Sequence, residues 1–350
     1  MVVKHDGSVW RSGAQSTSLS NSFVQVIESG AVAAAAGDGH SLVLKQGGYV
    51  WATGQNSKGQ LGDGTVVSKD EFFFVKRIAR AMAVAVGGYH SMLLTDQGHV
   101  WSTGWNRYGQ LGDGSTDDRK RLYRVVSSES KVLDCSAGDL HSMVLRKDRS
   151  VWATGRNHDG QLGDGTRDDK RSFVKVMNSG GAQLAAGGYH SLVRKQDGSV
   201  YATGWNEYGQ LGAGSTIDKI NYVQVISYLS KAVAAGSRHS MVLKQDRSVW
   251  ASGYNLYGQL GDGSTTNKLV FVKVISDGAQ AVAAGAFHSM VLMQDGSVRA
   301  TGSNKDGQFG AGSTNSEKSF VRVADLDNGA KNDSITCLST SRLFDFYSFI

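Results

Sequence analysis

Residues 281–310 read AVAAGAFHSMVLMQDGSVRATGSNKDGQFG, and this stretch decides the fold because most of it recurs along the chain. A Ser-Val-Trp-x-Thr-Gly segment, with some substitution, occurs seven times, and Asn-x-x-Gly-Gln-(Leu/Phe)-Gly occurs six times. The segment Gly-x-x-His-Ser also occurs six times, at His40, His90, His141, His190, His239 and His288. These spacings of 49 to 51 residues define a repeat of about 50 residues in seven copies, of which the first is incomplete.

Each copy predicts four short strands. In the last copy the apolar runs are Ala281–Ala284, Ser289–Met293, Ser297–Thr301 and Phe320–Val323. Gly-rich segments separate them, and none is long enough for a helix. Between the second and third runs, Asp295-Gly296 supplies the pair that a tight hairpin turn favours, since its residues adopt positive φ. Two copies place Arg149 and Arg247 at this glycine position.

A four-stranded sheet of this size cannot bury both apolar faces alone, so neighbouring copies must stack, and radial stacking closes a ring. The sequence therefore predicts an all-β, seven-bladed β-propeller of four-stranded antiparallel blades, forming one domain over residues 1–341. The repeats lie near 1–27, 28–78, 79–126, 127–176, 177–225, 226–274 and 275–323.

Closure of the ring needs a strand from elsewhere, because Met1 aligns with Met92 and the first copy begins at its second strand. We expect a closing segment at residues 334–341, in which Ile335–Leu338 pairs beside Val2 and Val3. Residues 342–350 form a C-terminal tail. In the alternative, this tail packs elsewhere and one blade stays incomplete. A start inside a repeat also leaves open that the chain is a fragment of a longer product.

These linked motifs resemble the regulator of chromosome condensation repeat over about residues 1–325. The WD and kelch propeller patterns fit the chain less well. The resemblance implies a seven-bladed propeller and two classes of function: protein interaction, or guanine-nucleotide exchange on a Ran-like GTPase with chromatin association. Exchange factors of the family add a projecting insertion and a basic N-terminal tail, and neither is visible in this sequence.

The composition of the chain limits the broad class of protein to which it can belong. The chain has 45 Gly, no Pro and a formal charge of +6 from 37 basic and 31 acidic residues, without a long basic block. These values indicate a turn-rich globular chain with a solvated basic surface. Two cysteines are too few for a disulfide scaffold and favour a reducing, intracellular compartment. No segment reaches the ~18 apolar residues needed for a membrane span.

The motifs indicate structure rather than catalysis. We expect the six motif histidines to be partly buried and hydrogen-bonded to backbone, since ring symmetry keeps them too far apart to share a metal ion. The aspartate of Gly-Asp-Gly is expected to cap a turn, because two copies replace it with Ala213 and Ala311. No nucleophile elbow, metal-binding pair or phosphate loop is present. We therefore expect no catalytic residue, cofactor or metal.

Strand direction predicts that the Gly-x-x-His turns and the Asn-x-x-Gly loops share one face, and their variable residues are rich in the types found at binding hot spots. The candidate partner-binding residues are Tyr89, Trp105, Arg107, Tyr108, Tyr189, Trp205, Tyr208, Arg238, Tyr254, Tyr257 and Phe287. A protein partner is the first hypothesis. Nucleic-acid stacking and simple packing of the rings are the alternatives.

A set of lysines lies close to the fourth strands and is expected to form a solvated rim. Its members are Lys69, Lys120, Lys170, Lys219, Lys268 and Lys318.

Overall fold

The computed structural model describes residues 1–14, 19–127, 131–325 and 336–337. Seven four-stranded antiparallel sheets make up this part of the chain, and we label them blades A to G in chain order. One short 3-10 helix, Gln46–Gly48, interrupts the strands. The prediction of an all-β, seven-bladed propeller is confirmed.

Each blade contains four strands, which in blades B to G follow one another in sequence from the axis outward, and the first strands of neighbouring blades contact one another. In blade A the innermost strand comes from the C-terminal part of the chain. From blade A to blade G, the first strands are β28 (Thr336–Cys337), β4 (Ala31–Ala36), β8 (Ala81–Val86), β12 (Val132–Ala137), β16 (Gly181–Ala186), β20 (Ser230–Ala235) and β24 (Ala279–Ala284). The second strands are β1 (Val2–Val3), β5 (His40–Lys45), β9 (His90–Thr95), β13 (His141–Arg146), β17 (His190–Lys195), β21 (His239–Lys244) and β25 (His288–Met293).

The outer half of each blade follows the same order. The third strands are β2 (Val9–Ala14), β6 (Tyr49–Gly54), β10 (Val100–Gly104), β14 (Val151–Gly155), β18 (Val200–Gly204), β22 (Val249–Gly253) and β26 (Ser297–Gly302). The fourth strands are β3 (Leu19–Ile27), β7 (Lys69–Arg77), β11 (Arg119–Val126), β15 (Lys170–Met177), β19 (Lys219–Ile226), β23 (Lys268–Ile275) and β27 (Glu317–Asp325). The four strands predicted for the last copy are present, and its fourth strand is longer than predicted.

The hydrophobic core lies between blades rather than within them. Leu42 and Leu44 of blade B, for example, belong to one buried cluster with Val84 and Leu93 of blade C. All four side chains are at most 8% exposed. Because each blade buries its apolar faces only against its neighbours, the blades are stable together and not singly.

The hairpins between second and third strands contain the residues with positive φ that the sequence predicts. Gly198 has a φ of +80°, and the Asp197 carboxylate accepts a hydrogen bond from the Ser199 N–H at 2.9 Å. Arg149 and Arg247 both have a φ of +66° at the equivalent position. A side chain in this left-handed conformation is strained, since its Cβ approaches the following carbonyl.

Replacing Arg149 with glycine should raise the free energy of unfolding by roughly 1 kcal/mol, because glycine adopts positive φ without that strain. Urea unfolding of the full chain measures the change. Lys147→Gly in the same turn is the control, because Lys147 has an ordinary negative φ and the substitution should destabilise the chain. A lower stability for Arg149→Gly would show that its side-chain contacts outweigh the backbone strain.

Blade A contains both ends of the chain, as predicted. Val2 pairs with Cys337 and Val3 pairs with Thr336 in an antiparallel ladder. This pairing places β28 beside β1 and supplies the first strand of the blade. Ile335, Leu338, the rest of the closing segment 334–341 and the tail 342–350 lie outside the described residues.

In the described part of the chain, no helix has the length and apolar character needed to cross a bilayer.

Candidate functional site

In blades B to G the Gly-x-x-His turn and the Asn-x-x-Gly loop lie at the same end of the blade, which we call the upper face. The Trp205 N–H donates to the Tyr189 carbonyl at 2.9 Å, and the Tyr254 N–H donates to the Arg238 carbonyl at the same distance. These bonds tie the two motifs together within a blade. The prediction that their variable residues share one face is confirmed.

Six rings on this face form a continuous cluster across blades E, F and G, and we call them the aromatic sector: Tyr189, Trp205, Tyr208, Tyr254, Tyr257 and Phe287. Successive ring centroids are 4.8 to 6.2 Å apart, and most pairs meet edge to face. This is the preferred geometry of aromatic pairs. All six side chains are half-buried, so the sector is both packed and accessible.

Arg238 lies at the centre of the aromatic sector. Its guanidinium carbon is 5.4 Å from the ring centroid of Trp205, 5.6 Å from that of Tyr208 and 5.8 Å from that of Tyr254. The ring of Phe287 is 6.0 Å away. Each contact lies within the range of a cation–π interaction. Four rings from three blades therefore fix the position of a single positive charge.

A second, smaller cluster lies at blade C. Tyr89 contacts Trp105 at 5.6 Å between centroids, Trp105 contacts Tyr108 at 5.7 Å, and Tyr108 contacts His158 at 5.9 Å. Arg107, the remaining predicted residue, is exposed and makes no ring contact or ion pair with any described residue. The structure thus groups ten of the eleven candidates into two clusters and leaves Arg107 outside both.

Sequence reasoning missed two carboxyl groups at the mouth of the central channel. Asp38 and Asp139 occupy the variable position after the glycine of Gly-x-x-His, and the Asp38 carboxylate and the Asp139 backbone both lie close to Gly88. Burial, together with the negative charge of Asp38, raises the pKa of Asp139 to about 7, although Arg238 opposes this shift. The upper face therefore carries a titratable acid beside the central arginine. The sequence signal for these two carboxyl groups was the aspartate itself, which occurs at this position in only two of the six copies.

The motif histidines form a ring of hydrogen bonds that links successive blades. In five cases Nε2 lies 2.8 to 2.9 Å from the serine hydroxyl of the next blade's Gly-x-x-His-Ser segment; the pairs are His40–Ser91, His90–Ser142, His141–Ser191, His190–Ser240 and His239–Ser289. Each serine hydroxyl also donates to the carbonyl of a loop glutamine in the preceding blade. The serine therefore accepts from the histidine, whose proton is on Nε2.

The prediction of partial burial is wrong for these five rings, which are at most 2% exposed. The prediction also missed the serine hydroxyl that lies at each Nε2. Burial lowers the pKa of His190 to about 3, so the imidazole is neutral at physiological pH. The serine that follows every histidine was the signal for this bond.

A buried asparagine organises each upper loop. The Asn157 side chain donates to Asp164 and to the Thr166 carbonyl, and accepts from the Leu162 N–H at 3.0 Å. Asp164 also accepts from the Thr166 N–H and hydroxyl. Burial alone would raise the pKa of Asp164, but these hydrogen bonds outweigh it and lower the pKa. The prediction that this aspartate caps a turn is confirmed.

The predicted solvated rim of lysines is wrong for two of its members. Lys170 Nζ lies 3.2 Å from Asp164, and Lys268 Nζ lies 3.1 Å from Asp262. In blade C the equivalent partner is Arg119, 2.7 Å from its aspartate, and not Lys120. In blades C, D and F a cation six residues after the Gly-Asp-Gly carboxylate therefore joins the loop to the fourth strand.

Within the described residues, no three His, Cys, Asp or Glu side chains come together as metal ligands would.

Two family models, both of the regulator of chromosome condensation (RCC1) repeat, match the chain. One matches residues 31–60, 83–110, 133–161, 182–210, 231–259 and 279–308. The other matches residues 47–94, 97–145, 197–243 and 246–292. No curated protein sequence matches.

Several solved structures share the fold. Human WBSCR16 is 24% identical, with a TM-score of 0.78, over 87% of this chain and 84% of its own. Yeast RCC1 (Prp20), solved bound to Kap60, is 17% identical, with a TM-score of 0.79, over 97% of this chain and 89% of its own. A second structure, Prp20p from Saccharomyces cerevisiae, is 19% identical, with a TM-score of 0.74, over 89% of this chain and 82% of its own. Together the matched repeats cover more than half of the sequence, and the chain belongs to the regulator of chromosome condensation repeat family.

Proposed function

We propose that the chain is a non-catalytic scaffold that binds a protein partner through the aromatic sector. The observation that carries this proposal is the position of Arg238 among four half-buried rings of three blades. Arginine and aromatic residues dominate binding hot spots. Because these side chains already hold one another in place, they lose little further conformational entropy when a partner binds.

The area of the aromatic sector fits a protein partner. Each aromatic side chain offers roughly 150 to 250 Å², so partial burial of the six rings can supply much of a standard footprint of roughly 800 Å². Yeast RCC1 (Prp20), which shares the fold, was solved bound to Kap60, so a propeller of this kind can carry a protein partner.

The ring geometry supports protein over nucleic acid. Single-stranded nucleic acids bind by stacking bases on open ring faces. In the aromatic sector most neighbouring rings meet edge to face, and the edge of one ring covers part of the face of the next. Arg238 likewise contacts ring faces of its own chain rather than extending into solvent. The sector therefore offers ring edges and hydroxyl groups more than stacking platforms.

Removing two rings of the aromatic sector should weaken partner binding at least about tenfold, in line with hot-spot truncations. The test compares the full chain with the double variant Trp205→Ala/Tyr254→Ala as baits in extracts, with bound proteins quantified by mass spectrometry and confirmed with purified partner. The control double variant, Tyr123→Ala/Tyr228→Ala, removes two rings that are 50% and 62% exposed elsewhere on the surface. Circular dichroism verifies that all baits are folded.

Equal loss of binding in both double variants, or no loss in either, would contradict the proposal. If the aromatic variant unfolds, the rings serve to pack the face. Two direct assays address the alternatives. Faster nucleotide release from a Ran-like GTPase would indicate an exchange function, and tight binding of single-stranded nucleic acid that weakens steeply with salt would indicate nucleic-acid recognition.

A further inference from the structure

The aromatic sector contains hydrogen-bond donors that the fold leaves unused. The guanidinium of Arg238 makes no hydrogen bond or ion pair with any described residue, and its contacts are the four rings around it. Within the described chain the hydroxyl groups of Tyr189, Tyr208, Tyr254 and Tyr257 have no hydrogen-bond partner either. A guanidinium has five N–H donors and no acceptor. The sector therefore presents a concentration of donors for a partner to use.

The rings of the aromatic sector give this surface the same polarity. The edge of an aromatic ring carries a positive partial charge, and its face carries a negative one. The ring faces are partly covered by neighbouring ring edges and by Arg238, whose guanidinium carbon is 5.4 Å from the centroid of Trp205. Ring edges, hydroxyl groups and the arginine itself remain for a partner. All three attract a group that is negatively charged and accepts hydrogen bonds.

The carboxyl groups near Arg238 do not satisfy it. The charge of Arg238 acts on Asp139, but the two side chains form no ion pair. A paired arginine would hold the pKa of this carboxyl group below its usual range, whereas burial and a neighbouring carboxylate raise that pKa to about 7. Glu207 is exposed on an adjacent loop and is not paired with Arg238. By contrast, Arg156 at the edge of the sector is paired with Asp159.

We propose, on the basis of the scaffold function proposed above, that the aromatic sector binds an acidic segment of the protein partner. One Asp or Glu side chain of that segment docks on Arg238, and its two oxygens accept parallel hydrogen bonds from the guanidinium. Apolar residues on either side of the acidic residue cover the surrounding rings. The tyrosine hydroxyl groups donate to carbonyl groups of the segment. The ring walls reduce the access of water to the ion pair and so strengthen it.

Charge and position select a side-chain carboxylate as the group that Arg238 binds. A phosphorylated side chain carries a charge of about −1.5 to −2, and the nearby carboxyl group of Asp139 opposes so much negative charge beside one guanidinium. The rings around Arg238 come from three blades. A segment that covers rings on both sides of the arginine crosses the sector, so its carboxylate belongs to a side chain and not to its C-terminal end.

The probe is a library of random dodecapeptides, displayed on phage and selected on the full chain. The enriched peptides should contain Asp or Glu between apolar residues. A synthetic form of each, with the acidic residue replaced by its amide, should bind roughly tenfold more weakly, because it loses a hydrogen-bonded charge pair. Fluorescence anisotropy measures both affinities. Equal affinities within such pairs, or selection of no peptide, would overturn this inference.

Arg238→Gln assigns the contact through a double-mutant cycle. This variant should bind the acidic peptide roughly tenfold more weakly than the native chain does, and should bind the acidic and amide peptides equally. Arg107→Gln is the matched control, because Arg107 is an exposed arginine of the same face outside the aromatic sector, and it should leave both affinities unchanged. If Arg238→Gln does not fold, the paired peptides still test the inference on the native chain.

Asp139→Asn should have the opposite sign. It removes a negative charge near Arg238, so the acidic peptide should bind at least as tightly as it binds the native chain. Weaker binding to Asp139→Asn, with no change in Arg238→Gln, would assign the contact to Asp139 and overturn the inference.

The double variant Trp205→Ala/Tyr254→Ala separates this inference from the scaffold proposal. If selected peptides lose affinity for that variant but show no preference for an acidic residue, the aromatic sector binds a partner of other chemistry, and this inference alone is wrong. If the peptides bind the double variant and the native chain equally, the aromatic sector is not their site, and both proposals are contradicted.

Discussion

Ser142→Ala should lower the free energy of unfolding by about 3 kcal/mol, because it leaves two buried polar groups without a partner. The Ser142 hydroxyl lies 2.8 Å from His90 Nε2 and donates to the Gln110 carbonyl at 2.8 Å. His90 and Ser142 have no exposed surface, so water cannot replace either bond. Denaturant unfolding followed by far-ultraviolet circular dichroism measures the loss.

Ser41→Ala provides the matched control for this prediction. It makes the same chemical change at the equivalent position of blade B, where the hydroxyl has no histidine partner in the described chain and lines a cavity. We expect it to change the stability by less than about 1 kcal/mol. Similar losses in the two variants would show that the hydroxyl matters for local packing and not for the histidine bond between blades.

Asn157→Ala should lower the free energy of unfolding by about 3 to 4 kcal/mol. The substitution removes bonds to the Asp164 carboxylate at 2.9 Å and the Thr166 carbonyl at 3.0 Å, and it leaves the buried Leu162 N–H without an acceptor. Asn157 itself is 0% exposed. Each orphaned group costs about 1 to 3 kcal/mol. Thermal unfolding and limited proteolysis of the loop measure the effect.

Asp164→Ala is the control for the asparagine variant. Blades E and G have alanine at the equivalent positions, Ala213 and Ala311, and their asparagines still bond to the loop backbone. The aspartate variant should therefore lose about 1 kcal/mol and keep the loop conformation. A larger loss than that of Asn157→Ala would make the carboxylate, and not the amide, the organiser of the loop.

The period of the motifs was enough to predict the strands, the hairpins and the shared upper face, because these depend on local pattern and chain direction. The pairing of β28 with Val2 and Val3 was also predictable, since a copy that starts at its second strand needs a first strand from elsewhere. The partner of each histidine was harder to find. It lies about 50 residues away and becomes a neighbour only when two blades stack.

The candidate site was also predictable only in part. The sequence placed Trp205, Tyr208, Tyr254 and Phe287 on one face, but only the angle between successive blades brings their rings around Arg238. The lysine rim was partly mispredicted because Lys120 was matched to the lysines of the other blades by residue type and not by its distance from the Gly-Asp-Gly carboxylate. Counting six residues from the Gly-Asp-Gly carboxylate reaches Arg119 instead and would have found the ion pair.

The closure of blade A has a mechanical consequence. Because β1 and β28 come from opposite ends of the chain, tension applied between these ends loads their two paired positions directly. The other six blades are each continuous in sequence and carry ladders of several pairs, so they remain out of the line of force at first. Under such a load we expect the ring to open first between β1 and β28.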